Sequence, residues 1–259
     1  MSALDTNESA GFALSTRGLS RSFGSLVVAR DINLNLPVGA RYALIGPNGA
    51  GKTTLINLMT GMLPPNEGQI ILGGEDITQL PPQDRVKRGL ARTFQINSLF
   101  ANLNPLEAVT LAVCERRGIA PRFWQNLGVN KDAIEEAYDI LTRLKLGDVG
   151  YQTTRELPYG RQRLLEIALA LATKPKVLLL DEPAAGVPQE ESGDIFEVVA
   201  SLSNDLTLLF IEHDMHVVFR FATHIIVLVG GAVFTEGSPA EIAADPGVRE
   251  VYLGKRHHG

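Results

Sequence analysis

The sequence feature that most constrains this chain is a glycine-rich run, Gly46-Pro47-Asn48-Gly49-Ala50-Gly51-Lys52-Thr53. It follows the apolar run Tyr42–Ile45, which predicts a strand, and it leads into Gly51–Met62, which predicts a helix. Glycines let the backbone wrap so closely that successive N–H groups point at phosphate oxygens, and the helix start adds its positive dipole end. Lys52 is then placed to reach the β- and γ-phosphates, and Thr53 to bind Mg²⁺. The run therefore predicts a nucleotide-binding loop.

Acidic residues follow a second apolar run later in the chain. Val177–Leu180 is typical of a strand buried on both faces, and Asp181 and Glu182 come directly after it. Open α/β sheets bind ligands at this end of their strands, so Asp181 is suited to hold Mg²⁺ through water and Glu182 to accept a proton from an attacking water. Without the glycine-rich loop, an acidic helix cap would be the better interpretation. His213, after a third apolar strand, is a candidate for contact with the γ-phosphate.

The order of predicted elements indicates an α/β fold. Alternating runs between Phe12 and Pro37, interrupted at Phe23-Gly24-Ser25, predict antiparallel strands. Strands alternate with helices from Val177 to Val229, which predicts a parallel sheet covered on both faces. The segment from about Asn102 to Arg155 is rich in helix formers and lacks strand patterns, so we expect an inserted helical subdomain there.

Composition excludes several classes of protein. The chain of 259 residues has a formal net charge of −5, which argues against a dedicated nucleic-acid binder. Its one cysteine, Cys114, cannot form an internal disulfide, which favours a reducing compartment. No run approaches the roughly 18–20 apolar residues that span a bilayer, and Met1–Ala10 lacks the features of a signal peptide. We therefore expect any work at a membrane to proceed through partner chains.

These motifs together resemble the ATP-binding subunit of an ABC transporter, from about Phe12 to Gly254. The resemblance implies a P-loop NTPase (RecA-like) core with a mostly parallel sheet, an N-terminal antiparallel β subdomain and an inserted helical subdomain. It implies one ATP-binding domain over residues 12–254, with the helical subdomain and signature at about 102–163. Residues 1–11 and 255–259 are expected to be flexible ends.

The resemblance also assigns roles to individual residues. Phe23 corresponds to the aromatic residue that stacks on adenine, and Val28 to the apolar contact beside it. Gln95 corresponds to the Q-loop glutamine, so the implied catalytic residues are Glu182, His213 and Gln95. The implied ligands of Mg²⁺ are Thr53, Gln95 and Asp181. The implied nucleotide-binding loop consists of Gly46, Pro47, Asn48, Gly49, Ala50, Gly51, Lys52, Thr53 and Thr54.

The signature segment departs from the family pattern, which begins Leu-Ser-Gly-Gly-Gln. After Leu157, this chain has Pro158, Tyr159, Gly160, Arg161 and Gln162. Proline offers neither the serine hydroxyl nor an N–H to ATP on the opposite subunit, although Gly160 and a helix beginning near Arg161 could present N–H groups. Pro188 replaces an aspartate or asparagine that many relatives have in the loop after Glu182. We expect these departures to weaken one of the two composite sites of a dimer.

Within the family, the chain resembles the larger of two ATPases in uptake systems for branched-chain amino acids and related polar solutes. The resemblance rests on Arg92–Phe100, on Tyr159-Gly160 and on the ending Asp245–Gly254. It implies ATP and Mg²⁺, a second ATPase subunit in a homo- or heterodimer, transmembrane permease subunits and, indirectly, an extracytoplasmic solute-binding protein. It implies a peripheral position on the cytoplasmic face of the bacterial inner membrane and no nucleic-acid partner.

Two other functions stay open at this point. An ATPase of lipopolysaccharide export would share many of these motifs. Pro158 and Pro188 favour the other alternative, a nucleotide-binding subunit that hydrolyses ATP poorly. ABC ATPases of translation or DNA repair usually have two ATP domains or a long coiled-coil insertion, and the sequence shows one phosphate loop and no sustained heptads.

Overall fold

The computed structural model describes residues 11–93, 100–119 and 131–253. The strands are β1 (Phe12–Phe23), β2 (Leu26–Pro37), β3 (Arg41–Ile45), β4 (Glu67–Leu72), β5 (Glu75–Asp76), β6 (Leu90–Arg92), β7 (Val177–Asp181), β8 (Thr207–Ile211), β9 (His224–Val229) and β10 (Ala232–Gly237). The helices are α1 (Lys52–Thr60), α2 (Pro82–Arg88), α3 (Pro105–Arg116), α4 (Lys131–Arg143), α5 (Tyr159–Ala172), α6 (Gln189–Ala200), α7 (Met215–Phe221), α8 (Pro239–Ala244) and α9 (Pro246–Leu253). Over these described residues, no helix combines the length and the apolar character needed to cross a bilayer.

The chain divides into two compact units. The first comprises Met1–Leu90, Lys176–Glu182 and Ser203–Gly259, and the second comprises Ala91–Pro175 and Pro183–Leu202. The predicted boundaries of the helical subdomain, about 102–163, stay a prediction.

The first unit contains an antiparallel sheet in the order β2-β1-β4-β5. Its first two strands form a hairpin in which Phe23 pairs with Leu26, and Gly24 makes the turn with a left-handed backbone, φ +58°. The interruption that the sequence shows at Phe23-Gly24-Ser25 is therefore this turn. The predicted antiparallel β subdomain is confirmed.

The second sheet has the order β10-β9-β3-β8-β7-β6. In it β3 runs parallel to β8 and β9, β7 runs parallel to β8, and β10 pairs antiparallel with β9. The apolar residues of β7 and β8 are buried, as expected for central parallel strands covered on both faces. Leu55, Leu58 and Met59 of α1 pack into the same core, each contributing about 1.5–3 kcal/mol by burial. The predicted α/β fold with a mostly parallel sheet is confirmed.

Strand register brings three segments to one edge of this sheet. Ile211, the last residue of β8, pairs with Leu44 of β3 on one side and with Asp181 of β7 on the other. Because all three strands are parallel, the segments that follow them leave the sheet at the same edge. These segments are the glycine-rich loop, Glu182 and His213.

Over its described residues after β6, the second unit contains the helices α3, α4, α5 and α6, and two 3₁₀ turns, Gly147–Val149 and Thr154–Glu156, lie between α4 and α5. Asn104 and Glu107 form a reciprocal capping box at the start of α3, and Pro105 occupies the first helical position. The buried face of α4 is formed by Ala133, Ala137 and Leu141, the four-residue spacing that predicts a helix. The expectation of a helical segment without strands after Asn102 agrees with these residues.

Candidate nucleotide site

The glycine-rich loop adopts a backbone that side chains would obstruct. Gly51 has φ +102°, and a Cβ there would lie 2.7 Å from the carbonyl oxygen of Val28. A Cβ on Gly46 would overlap the carbonyl oxygen of Leu228. Ala50 donates to the carbonyl of Pro47 at 3.1 Å, which closes the turn. The loop is therefore preformed, and its close packing against neighbouring backbone requires glycine at these two positions.

Lys52 is folded back over this loop. Its Nζ donates to the carbonyl oxygens of Gly46 at 2.7 Å and Pro47 at 3.2 Å, and the residue is 7% exposed. Burial lowers the pKa of Lys52, whereas the negative charges of Glu182 and Asp181 act to raise it. The two carbonyls are neutral acceptors, so a phosphate oxygen would be a stronger partner for this ammonium group. The geometry fits a phosphate-bearing ligand.

The start of α1 is open to an anion. Gly51 occupies the N-cap position, where it supplies no side-chain hydrogen bond, and the first turn has no acidic residue. The N–H groups that a helix leaves without intrahelical partners are consequently available to a ligand at this end. Thr53 is exposed in this first turn and Thr54 is half-buried. The roles that the sequence analysis gives to these two residues stay predictions.

Glu182 and His213 meet at the carboxyl ends of β7 and β8. The Oε1 of Glu182 lies 2.9 Å from the Nε2 of His213, and both side chains are partly exposed. Glu182 has a left-handed backbone, φ +50°, and its N–H donates to the carbonyl of Ile211 at 3.1 Å. Such strain in a non-glycine residue persists only where the surroundings fix it, and it concentrates at functional sites. The two side chains therefore form a hydrogen-bonded couple, and the separate roles that the sequence analysis assigns to them stay predictions.

Fewer contacts are described for the other residues that the sequence analysis predicts at this site. Phe23 is 51% exposed beside the β1–β2 turn, with the guanidinium carbon of Arg21 4.6 Å from its ring centroid. The backbone of Val28 lies against the glycine-rich loop through Gly51. Gln95 lies outside the described residues, so its role stays a prediction. Asp181 ends β7 beside Ile211.

The signature helix begins earlier than expected. The start was predicted near Arg161, but α5 begins at Tyr159, with Pro158 as its N-cap. The fixed φ of proline is compatible with this capping position, where φ is −53°. The N–H of Gln162 donates to the carbonyl of Pro158 at 3.1 Å, so the three preceding amides lie ahead of the first bond of the helix.

Side chains of the signature segment bind within their own unit. Arg161 donates to the carboxylate of Asp148 at 2.9 Å and 3.1 Å. The amide of Gln162 donates to the carbonyl of Leu157 at 2.9 Å. No side chain caps the helix start. Backbone N–H groups are therefore what this segment can offer to a phosphate, in place of a serine hydroxyl.

Sequence reasoning missed one residue beside the glycine-rich loop. Burial raises the pKa of Tyr252, on α9, to about 12, while the backbone of Gly46 acts to lower it, which puts this phenol beside the loop. The two residues are far apart in the sequence, and the pattern of α9 does not distinguish this tyrosine from a packing residue. Proximity of this kind arises from the tertiary fold alone.

Comparison with known proteins places this geometry in a family. A family model described as ABC transporter matches residues 29–185, and one described as branched-chain amino acid ATP-binding cassette transporter matches residues 232–258. The high-affinity branched-chain amino acid transport ATP-binding protein BraF of Pseudomonas aeruginosa is 37% identical over 251 residues, covering 93% of this chain and 98% of BraF. LivG of Escherichia coli, with the same description, is 36% identical with the same coverage.

A solved structure agrees with these relatives. The crystal structure of the ADP conformation of MJ1267, an ATP-binding cassette of an ABC transporter, has a TM-score of 0.82 and 32% sequence identity. The match covers 94% of this chain and 99% of that one. The family model covers more than half of the chain, and it includes the loop, Asp181 and Glu182. This chain therefore belongs to the ATP-binding subunits of ABC transporters, a family of ATPases, and it resembles the branched-chain amino acid group within that family.

Proposed function

We propose that this chain hydrolyses ATP at the loop of residues 46–54 and thereby powers the uptake of branched-chain amino acids or related small polar solutes. The single observation that carries the proposal is the Glu182–His213 couple, 2.9 Å apart, at the sheet edge that also presents the loop with Lys52. The likeness to BraF and LivG over 93% of the chain supports the class of solute.

The chain's own residues divide the chemistry between them. The loop N–H groups and the ammonium of Lys52 bind and orient the phosphates. Glu182 accepts the proton of the attacking water, and His213 fixes the orientation of that carboxylate through their hydrogen bond. Because this hydrogen bond forms without a bound ligand, the carboxylate of Glu182 is positioned before the substrate arrives.

A magnesium ion fits the donors at this site. In the described ranges, no group of three or more His, Cys, Asp or Glu could hold a metal ion by itself. Magnesium usually takes one or two protein ligands together with substrate phosphates and water, so Thr53, Asp181 and Gln95 would suffice to hold it. When bound, the ion would neutralise charge on the phosphates.

Transport would require further chains. We infer that two ATPase subunits face each other head to tail, with each ATP between one loop of residues 46–54 and the opposite signature segment. ATP favours the closed dimer only by as much as it binds that state better, and loss of the terminal phosphate removes the bridge. Transmembrane permease subunits would convert opening and closing into transport, with this chain peripheral on the cytoplasmic face of the membrane.

The test is Glu182→Gln in the transporter purified with its partners from native membranes. The glutamine keeps the shape of the side chain but cannot accept the proton, so ATP binding should persist while phosphate release falls at least about 100-fold. Glu236→Gln is the matched control, because Glu236 also faces a histidine, His224, at 3.7 Å but lies on β10. Normal phosphate release by the Glu182 variant would remove this residue from the role of base.

A second candidate, a subunit that binds ATP but hydrolyses it poorly, is favoured by Pro158, which leaves α5 without a side-chain cap. The two candidates differ in one measurement on the wild-type complex. Hydrolysis predicts phosphate release that rises when a branched-chain amino acid and its binding protein are added, whereas the alternative predicts ATP-dependent assembly without release. Identification of the co-purified permease would separate uptake from lipopolysaccharide export.

A further inference from the structure

The loop that follows Glu182 in the chain packs against the start of α5, and both lie in the second unit. Gly186 has φ +78°, and a Cβ at this residue would lie 3.1 Å from both Cε1 and the hydroxyl oxygen of Tyr159. The ring therefore fills the space beside the glycine. We name residues 183–188 the post-Glu182 loop.

Arg163, one turn along α5, binds the same loop. Its Nη2 donates to the carbonyl of Ala185 at 3.2 Å and to the hydroxyl of Tyr159 at 3.1 Å. The guanidinium carbon lies 5.2 Å from the centroid of the Tyr159 ring. Loop backbone, phenol and guanidinium thus form one contact set, in which Tyr159 contributes both a packing surface and a hydrogen-bond acceptor.

A buried carboxylate anchors the guanidinium from the other side. Glu166 is 2% exposed, and its Oε2 accepts from Nη1 of Arg163 at 3.0 Å. Burial raises the pKa of Glu166 to about 7, and the hydrogen bond and charge of Arg163 act in the opposite direction. Among the described residues, the Oε1 of Glu166 and the Nε of Arg163 have no hydrogen-bond partner. A buried ion pair this incompletely satisfied contributes little to stability, and fixing one arrangement is a better account of it.

Each of these two segments contains a departure from the family pattern. Tyr159 occupies a glycine position of the signature, so it makes a contact with the loop that glycine could not make. The post-Glu182 loop, in turn, ends at Pro188 instead of the aspartate or asparagine of many relatives. The tyrosine and arginine supply a link between signature helix and loop within one subunit.

We propose that Arg163 is a positioning residue for ATP hydrolysis, which holds the post-Glu182 loop against α5 with Tyr159 as its packing partner and Glu166 as its anchor. The inference rests on the proposed role of Glu182, because the loop is joined directly to that residue. Displacing a reacting group by about 1 Å can reduce a rate about 100-fold. If the loop were released from α5, Pro183, which follows Glu182 in the chain, would no longer be restrained.

The experiment compares four variants in the assembled transporter. We name the contacts of Arg163 with Glu166 and with the post-Glu182 loop the clamp. Arg163→Met and Glu166→Leu remove the clamp, whereas Glu166→Gln retains an acceptor oxygen for Arg163. Arg117→Met is the control. Arg117 also pairs with a carboxylate in the second unit, that of Glu136, but it has no described contact with the loop. For each variant we measure phosphate release at saturating ATP, KM for ATP and amide hydrogen exchange at Val187. The N–H of Val187 donates to the carbonyl of Ala184 at 3.1 Å, within the loop.

The proposal expects kcat to fall at least about tenfold in Arg163→Met and Glu166→Leu, with KM within about threefold of wild type. Exchange at Val187 should accelerate at least about fivefold in the same two variants. Glu166→Gln and Arg117→Met should keep both properties near wild type. Wild-type kcat in Arg163→Met, unchanged exchange at Val187, or an equal loss in the Arg117 control would overturn the proposal. A wild-type complex without phosphate release would instead reject the proposed function, and the exchange comparison would still decide whether the clamp exists.

Discussion

The buried arginine of α2 provides the most quantitative prediction. Arg85 is 2% exposed, and its guanidinium donates to four backbone carbonyls in the first unit. These acceptors are Leu58 at 2.8 Å, Met59 at 2.7 Å, Thr78 at 2.7 Å and Leu80 at 2.9 Å. Leu58 and Met59 belong to the last turn of α1, so the cation also lies at the negative end of the helix that begins at the glycine-rich loop.

Arg85→Met keeps much of the aliphatic stem and removes every donor. Each lost hydrogen bond costs about 1 kcal/mol net, so four of them predict a loss of about 4 kcal/mol in the free energy of unfolding. For a domain of this size, about 2–4 °C of Tm corresponds to each kcal/mol, which gives a decrease of about 8–16 °C. The loss is a large fraction of the 5–15 kcal/mol that typically holds a domain together.

The assay is thermal unfolding of the purified chain, followed by circular dichroism, with Arg88→Met as the control. Arg88 lies on the same helix, but its side chain is 37% exposed and pairs with Glu75 on the surface at 2.6 Å. Surface pairs contribute about 0–1 kcal/mol, so this variant should lose no more than about 4 °C. Equal shifts in the two variants would refute the reasoning that the buried donors carry the stability.

Further predictions concern the second unit and the loop. Three cations bind the carboxylate of Glu136: Arg116, Arg117 and Lys174. Hydrogen bonds from these groups, led by Arg116, lower the pKa of Glu136 to about 2 from 4.5. The stabilising contribution of Glu136 is thus present above pH 4.5 and lost as pH falls toward 2. Glu136→Gln should lower the free energy of unfolding by about 3 kcal/mol at neutral pH, and in urea unfolding that free energy should then depend less on pH between 4.5 and 2. An unchanged pH dependence in this range would contradict the prediction. Gly51→Ala should lower the free energy of unfolding by about 1–3 kcal/mol more than Gly49→Ala. Both residues have φ above +70°, but only a Cβ on Gly51 would lie 2.7 Å from a carbonyl oxygen, that of Val28. Equal urea midpoints for the two variants would contradict the argument from close packing.

Much of the fold follows from local patterns in the sequence. Val177–Leu180 was predictable as a buried strand because four consecutive apolar residues suit a strand covered on both faces. The glycine-rich loop was predictable because its residue types are required by its backbone, as the contacts of Gly51 show. Strand register then follows from parallel pairing, which brings Glu182 and His213 together.

The remaining features depend on contacts between residues distant in sequence. Arg85 reads as a surface residue of a charged helix, and only its four carbonyl partners on other segments explain its burial. The left-handed backbone of Glu182 has no sequence signal, since glycine would be the expected residue there. Tyr159 departs from the wider family pattern and supports the subgroup resemblance, but neither observation indicates that its ring packs on Gly186. Tertiary packing determines the environment of these residues, and the periodicity of the sequence does not predict it.

The central claim is that the loop of residues 46–54 binds ATP through Lys52, and equilibrium titration of ATP with Mg²⁺ onto the purified complex tests it most directly. Lys52→Met removes an ammonium whose charge-assisted hydrogen bonds to phosphate would contribute about 3 kcal/mol together, so the dissociation constant should rise about 100-fold. A complex with no measurable affinity for ATP, or a Lys52 variant that binds as tightly as wild type, would contradict the account.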